Sequence, residues 1–184
     1  MDAITHCIEA VLATPANPPA EGIGLDGLWR GWRHIKRAVG NGSDRTARWE
    51  MMMASTEGAL AFVKGLGAVH SMSHAAGRIK ELRLHHGTLN AVILPTILRF
   101  NEEACLDVYP RLRQAMGLAA NADLAKAVEQ LNADLGLPRG LSEMGLTEEL
   151  IEDMVPHAIN DLATMTNPKK VSAEDFADLY RQAM

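Results

Sequence analysis

Residues 25–39, LDGLWRGWRHIKRAV, carry Leu25, Leu28, Trp29, Trp32, Ile35 and Val39 at helical spacing with charged residues between them. That recurrence every three to four positions is the signature of an amphipathic helix with one buried face. Working outward, the same period recurs on both sides. Toward the N-terminus, Asp2 to about Ala13 places Ile4, Ile8, Val11 and Leu12 on one face, and TPANPPAEG then interrupts the pattern. Toward the C-terminus, GNGSD breaks the chain, and Ser43 or Asp44 can cap a long helix running to about Val63. A glycine-bearing turn, GLGAVH, leads into a short helix holding His70 and His74. After a loop at Arg83–Gly87, Thr88–Asn101 reads as a buried helix, with Pro95 expected to kink it or mark a boundary. Further helices are expected at Ala104–Met116, Ala122–Leu135, Thr147–Ala163 (interrupted near Pro156) and Ser172–Ala183. No alternating strand pattern, repeat or low-complexity segment occurs. The fold class is all-α, a helical bundle over residues 1–184.

Composition bounds the functional classes. A chain of 184 residues supports one well-buried core. Apolar residues at 47% and charged residues at 22% are ordinary for a globular protein. A net charge of −5 argues against a nucleic-acid partner, because the basic residues between Arg30 and Arg48 are interleaved with Asp26, Asp44 and Glu50. No stretch has the length and apolarity of a membrane span, and no export signal opens the chain. Cys7 and Cys105 are the only cysteines and form no CxxC pair, so a reducing cytoplasm is the expected compartment.

The chemistry lies in two short stretches, MDAITH at residues 1–6 and VHSMSHAAGRIKELRLHHG at residues 69–87. Asp2 and His6 stand four apart on one predicted helix, as do His70 and His74 on another, so each pair shares a face. His86 or its neighbour His85 can close the set. A divalent transition metal needs three or four N or O donors within about 2.0–2.2 Å of one point, and one carboxylate with imidazoles suits Fe²⁺ or Zn²⁺. A lone HxxxH pair is more often a surface or core feature. Here five ligand-type residues fall in apolar, glycine-flanked helical sequence, where unpaired polar groups are costly. Cys7 follows His6 directly and points about 100° away from it, into the core. His34 and His157 read as surface residues.

Four segments, MDAITHCIEA, AFVKGLGAVHSMSHAAG, HHGTLNAVILPTILRFN and TNPKKVSAEDFADLYRQAM, resemble the C-terminal half of iron-dependent (group III) alcohol dehydrogenases. The resemblance runs over the whole chain with its motifs in order. It implies an all-α domain that supplies most of a metal site, with an N-terminal NAD(P)-binding domain absent from this chain. It also implies metal ligation by Asp2, His6, His70 and His86. His74 then lies beside substrate and nicotinamide without ligating the metal, as the catalytic and cofactor-binding residue. The cofactors implied are Fe²⁺, with Zn²⁺ as the other candidate, and NAD or NADP in the intact enzyme. The implied partners are a small alcohol or aldehyde substrate and further copies of the chain in a homo-oligomer. Related glycerol dehydrogenases and dehydroquinate synthases share the architecture with a different ligand set, so Asp plus three His favours the alcohol dehydrogenase branch. The sequence holds no GxGxxG, no GGGS-type phosphate loop and no strand–turn–helix unit. Opening at Asp2, the chain is expected to begin at a wall of the site and to be inactive by itself. The competing readings are a free-standing helical metal-binding or interaction domain without catalysis, and a metal-dependent hydrolase, for which the expected His-Asp dipeptide is missing.

Overall fold

The computed structural model describes residues 1–184 and contains helices and turns with no strand. Nine α-helices follow in order: α1 Asp2–Leu12, α2 Pro18–Gly40, α3 Arg45–Ala61, α4 Ala68–Ala76, α5 His86–Asn101, α6 Tyr109–Met116, α7 Leu124–Asp134, α8 Ile151–Ile159 and α9 Ala173–Ala183. Short 3₁₀ turns fill several of the connections. The all-α expectation holds, and no helix is long and apolar enough to cross a membrane.

Element boundaries differ from the sequence reading where prolines and caps decide them. The helix expected from Leu25 begins at Pro18, because Pro18 and Pro19 occupy its first turn, where a missing N–H costs nothing. The Asn17 side chain accepts from Ala20 N at 3.2 Å and caps it. Asp44 caps α3, accepting from Ala47 N at 2.9 Å, and Ser43 does not. The helix expected from Ala104 starts at Tyr109, with Pro110 in its first turn. The stretch 147–163 divides into a 3₁₀ turn, α8 and a second 3₁₀ turn. Ser172 and Asp175 close a reciprocal capping box at α9. Pro95 neither ends nor splits α5, which runs through it.

Two helix groups meet at α1. This helix packs against α2 and α3, and also against α5, which in turn packs on α4, α7 and α9. Ile4, Cys7, Ile8 and Val11 are all buried, and each large aliphatic side chain so placed stabilises the fold by about 1.5–3 kcal/mol. Close approach of α2 requires glycine. A Cβ at Gly27 would lie 2.7 Å from Cys7 Sγ, and one at Gly31 would lie 2.9 Å from Ile4 Cγ1. The result fixes α1, and with it Asp2 and His6, from its first turn. Two arginines of α2 are neutralised as the sequence implied: Arg30 pairs with Asp26 and Glu50, each at 2.8 Å, and Arg37 with Asp44 at 2.7 Å.

Candidate metal centre

Three helices contribute to one point. Asp2 and His6 come from the first two turns of α1, His70 and His74 from α4, and His86 from the first residue of α5. Donor atoms of Asp2, His6 and His70 all lie within 4.8 Å of one another. His86 Nε2 lies 3.5 Å from Asp2 Oδ1, and His70 Nε2 lies 3.7 Å from the same oxygen. The rings gather closely: His6 stacks on His70 with centroids 4.6 Å apart, and His74 stacks on His86 at 5.4 Å. His85 is the N-cap of α5 instead. Its Nδ1 accepts from Thr88 N at 3.3 Å, which separates it from its neighbour by role.

His74 sits at the edge of the cluster, half exposed, with Nδ1 2.9 Å from Asp161 Oδ2. Asp161 itself caps the 3₁₀ turn Leu162–Thr166 through Ala163 N. Its other oxygen is thus held while one faces the imidazole.

Three further residues complete the cluster, and spacing on single helices did not reveal them. Glu9 is buried on α1 and accepts from Val69 N at 2.8 Å and from His70 N at 3.3 Å, while its Oε2 lies 2.6 Å from His70 Nδ1. The signal was present in DAITHCIEAVL, where Glu9, the second acid of the helix, stands amid apolar neighbours three residues after His6. Asn90 is fully buried one turn beyond His86. Its Nδ2 donates to Asp2 Oδ1 at 2.7 Å and lies 3.3 Å from His70 Nε2 and 3.1 Å from His86 Nε2. Asn167 is the third, accepting from Ala68 N at 3.0 Å.

Charge follows this geometry. Burial works against ionised Asp2, yet contact with His70, the His6 charge and the Asn90 amide outweigh it. The carboxyl is held well below the usual carboxylate range. Burial likewise opposes a charged His70, but Asp2 and Glu9 on its two sides push it up to about 9. Burial and repulsion from His70 lower His6. Burial also lowers His86, against the pull of Asp2.

The donor set fits a divalent cation. One carboxylate oxygen and the Nε2 atoms of His70 and His86 aim at a spot served by a single amide group, while Asn90 Oδ1 is buried without a partner. Converging lone pairs of one carboxylate and several imidazoles are what Fe²⁺ or Zn²⁺ takes.

The whole chain, residues 1–184, matches the Fe-containing alcohol dehydrogenase family, C-terminal. The chain belongs to that family. A 4-hydroxybutyrate dehydrogenase from Cupriavidus necator is 52% identical over 191 residues, covering 100% of this chain and 50% of the relative. A 1,3-propanediol dehydrogenase from Citrobacter freundii is 33% identical, with 100% and 49% covered. Among solved structures, a 1,3-propanediol oxidoreductase superposes with a TM-score of 0.94 at 32% identity, over 100% of this chain and 50% of that one. This chain therefore spans about half the length of the relatives it matches. As a member of the iron-containing alcohol dehydrogenase family it corresponds to the C-terminal half, in keeping with the sequence resemblance.

Proposed function

We propose that residues 1–184 are the metal-holding half of an NAD(P)-dependent alcohol dehydrogenase, with Asp2, His6, His70 and His86 as the ligands. The observation that carries this reading is the convergence of Asp2, His6 and His70 donors within 4.8 Å, with His86 against the same carboxylate. When bound, Fe²⁺ or Zn²⁺ supplies Lewis acidity toward an alcohol or carbonyl oxygen. The remaining work falls to side chains of this chain. Asp2 contributes the negative charge of the site, and Asn90 holds that carboxylate in place through its amide. Phe62, 5.2 Å from the His6 ring, and the exposed Leu162 beside Asp161 give the site apolar flanks suited to a small organic substrate.

His74 is the catalytic residue of this reading. Asp161 accepts from Nδ1–H, which leaves Nε2 as the atom that takes a proton from a substrate hydroxyl and returns it in the reverse direction. Hydride transfer belongs to the nicotinamide, and NAD or NADP would be held by a further domain outside these residues. The intact protein is a cytoplasmic homo-oligomer in this reading, a compartment that suits the free buried thiols of Cys7 and Cys105.

The test is an assay of the full-length protein containing this chain. It is loaded with Fe²⁺ or Zn²⁺ and offered 4-hydroxybutyrate, 1,3-propanediol and simple primary alcohols with NAD and NADP. Turnover that disappears in His70→Ala together with the metal is expected. A metal content unchanged by His70→Ala would remove His70 from the ligand set, and a metal-loaded protein inert toward every alcohol would sink the dehydrogenase assignment.

A further inference from the structure

The first turn of α4 carries the most tightly held imidazole of the cluster, yet it has no local cap. Gly67 precedes it and offers no side chain, although the opening N–H groups of a helix need partners. Partners arrive from distant segments. Ala68 N donates to Asn167 Oδ1 at 3.0 Å, Val69 N to Glu9 Oε1 at 2.8 Å, and His70 N to Glu9 Oε2 at 3.3 Å. The approach is so close that a Cβ at residue 67 would lie 2.8 Å from both Asn167 Oδ1 and Glu9 Oε1. A side chain at residue 67 would have to displace both capping groups.

A carboxylate used only as a cap would stop at the backbone. Glu9 goes further, with Oε2 2.6 Å from His70 Nδ1 and both side chains almost wholly buried. An ionised carboxylate only accepts, so His70 Nδ1 must carry the proton. The other nitrogen, Nε2, is the one that faces Asp2 and lies 3.3 Å from Asn90 Nδ2.

We propose that Glu9 is a positioning residue of the metal centre: it holds the His70 proton on Nδ1, presents Nε2 to the site, and locks that ring to the first turn of α4. The proposal rests on the reading of this cluster as a metal centre. A partner on the far nitrogen orients a ligating imidazole and raises its basicity, and loss of such partners weakens metal binding by about 10- to 100-fold. Glu9 is also the only link that makes ring orientation and helix capping a single event. Asn167, which caps the same turn without touching the ring, separates the two roles.

The experiment compares wild type, Glu9→Gln and Asn167→Ala in the full-length protein, with Zn²⁺ titrated against a competing chelator and the Co²⁺ spectrum as a second readout. Gln preserves the shape, but in either orientation of its amide the charge opposite Nδ1 is gone. Glu9→Gln is expected to lose about 10- to 100-fold in Zn²⁺ affinity, whereas Asn167→Ala loses stability with affinity within about threefold of wild type. Imidazole ¹⁵N spectra of the zinc-loaded wild type should show a protonated, hydrogen-bonded His70 Nδ1, a readout that holds even where Glu9→Gln folds poorly. Wild-type affinity in Glu9→Gln, an equal loss in Asn167→Ala, or an unprotonated Nδ1 would each overturn the positioning role. Failure of the wild type to bind Zn²⁺ or Co²⁺ would overturn the metal centre itself, and this proposal with it.

Discussion

Asn132 Nδ2 donates to the carbonyl of Ala91 at 2.6 Å, and Ala91 is the residue whose helical partner would be the N–H that Pro95 lacks. The proline is tolerated inside α5 because a side chain from α7 takes up the carbonyl it strands. Removing Asn132 should therefore cost about 1–3 kcal/mol, the penalty for leaving a buried carbonyl unpaired. The check is a double-mutant cycle by urea unfolding. Asn132→Ala should cost less in a Pro95→Ala background, where the backbone N–H returns. Equal costs in both backgrounds would show that Asn132 acts through packing alone.

The same contact shows what a sequence discloses and what it withholds. Helical periodicity in residues 2–13 and 25–39 and the spacing of Asp2/His6 and His70/His74 were legible, because both are relations within one helix. Pro95 was legible as an anomaly, but the carbonyl it strands, that of Ala91, finds its partner 41 residues away in Asn132. Glu9 and Val69 are 60 residues apart, Asn90 and Asp2 88, and His74 and Asp161 87. Such partnerships are created by helix packing, and no local pattern encodes them. Periodicity was also silent on the start of α2, since Pro18 and Pro19 look like breakers until their place in the first turn is known.

His74 is expected to be separable from the ligands. Its ring faces Asp161 through Nδ1 and is half exposed, whereas His70 is enclosed between Asp2 and Glu9. His74→Ala in the full-length protein should keep its metal while turnover falls by about 10²-fold or more, the usual scale for a lost proton-transfer group. Metal analysis beside steady-state kinetics decides it. Metal lost along with the ring would make His74 a ligand.

Alkaline stability should depend on Cys7. Burial first, and then the negative charges of Glu57 and Asp26, push its thiol from 9.0 up to about 12. An unfolded thiol ionises near the ordinary value, so the unfolded chain loses a proton that the folded chain keeps. Stability from this group is intact below about pH 9 and is lost as pH rises toward about 12. Between pH 8 and 10 the wild type should lose about 1 kcal/mol more than Cys7→Ala, measured by urea unfolding of the two proteins at both values. Parallel losses would place the alkaline sensitivity elsewhere.

Residues 1–184 alone are expected to bind metal yet not to oxidise alcohols. Much of the rate of a hydride transfer comes from holding the two reactants together, and this all-helical chain offers no strand-to-helix glycine loop to cradle a pyrophosphate. The surroundings of the histidines point the same way. Leu60 in the last turn of α3, Phe62 and Val63 just after it, and Leu162 and Met165 in the 3₁₀ turn that follows Asp161 are exposed, Val63 by 72% and Leu162 by 81%. Exposed apolar surface promotes association. The isolated chain should therefore sediment with concentration-dependent self-association, and Leu162→Ser with Val63→Ser should reduce it without loss of helical signal. Titration calorimetry with NAD and NADP should detect no tight binding. Steady turnover by these residues alone, or a cofactor bound in the low-micromolar range, would show that the helical half needs no other part for catalysis.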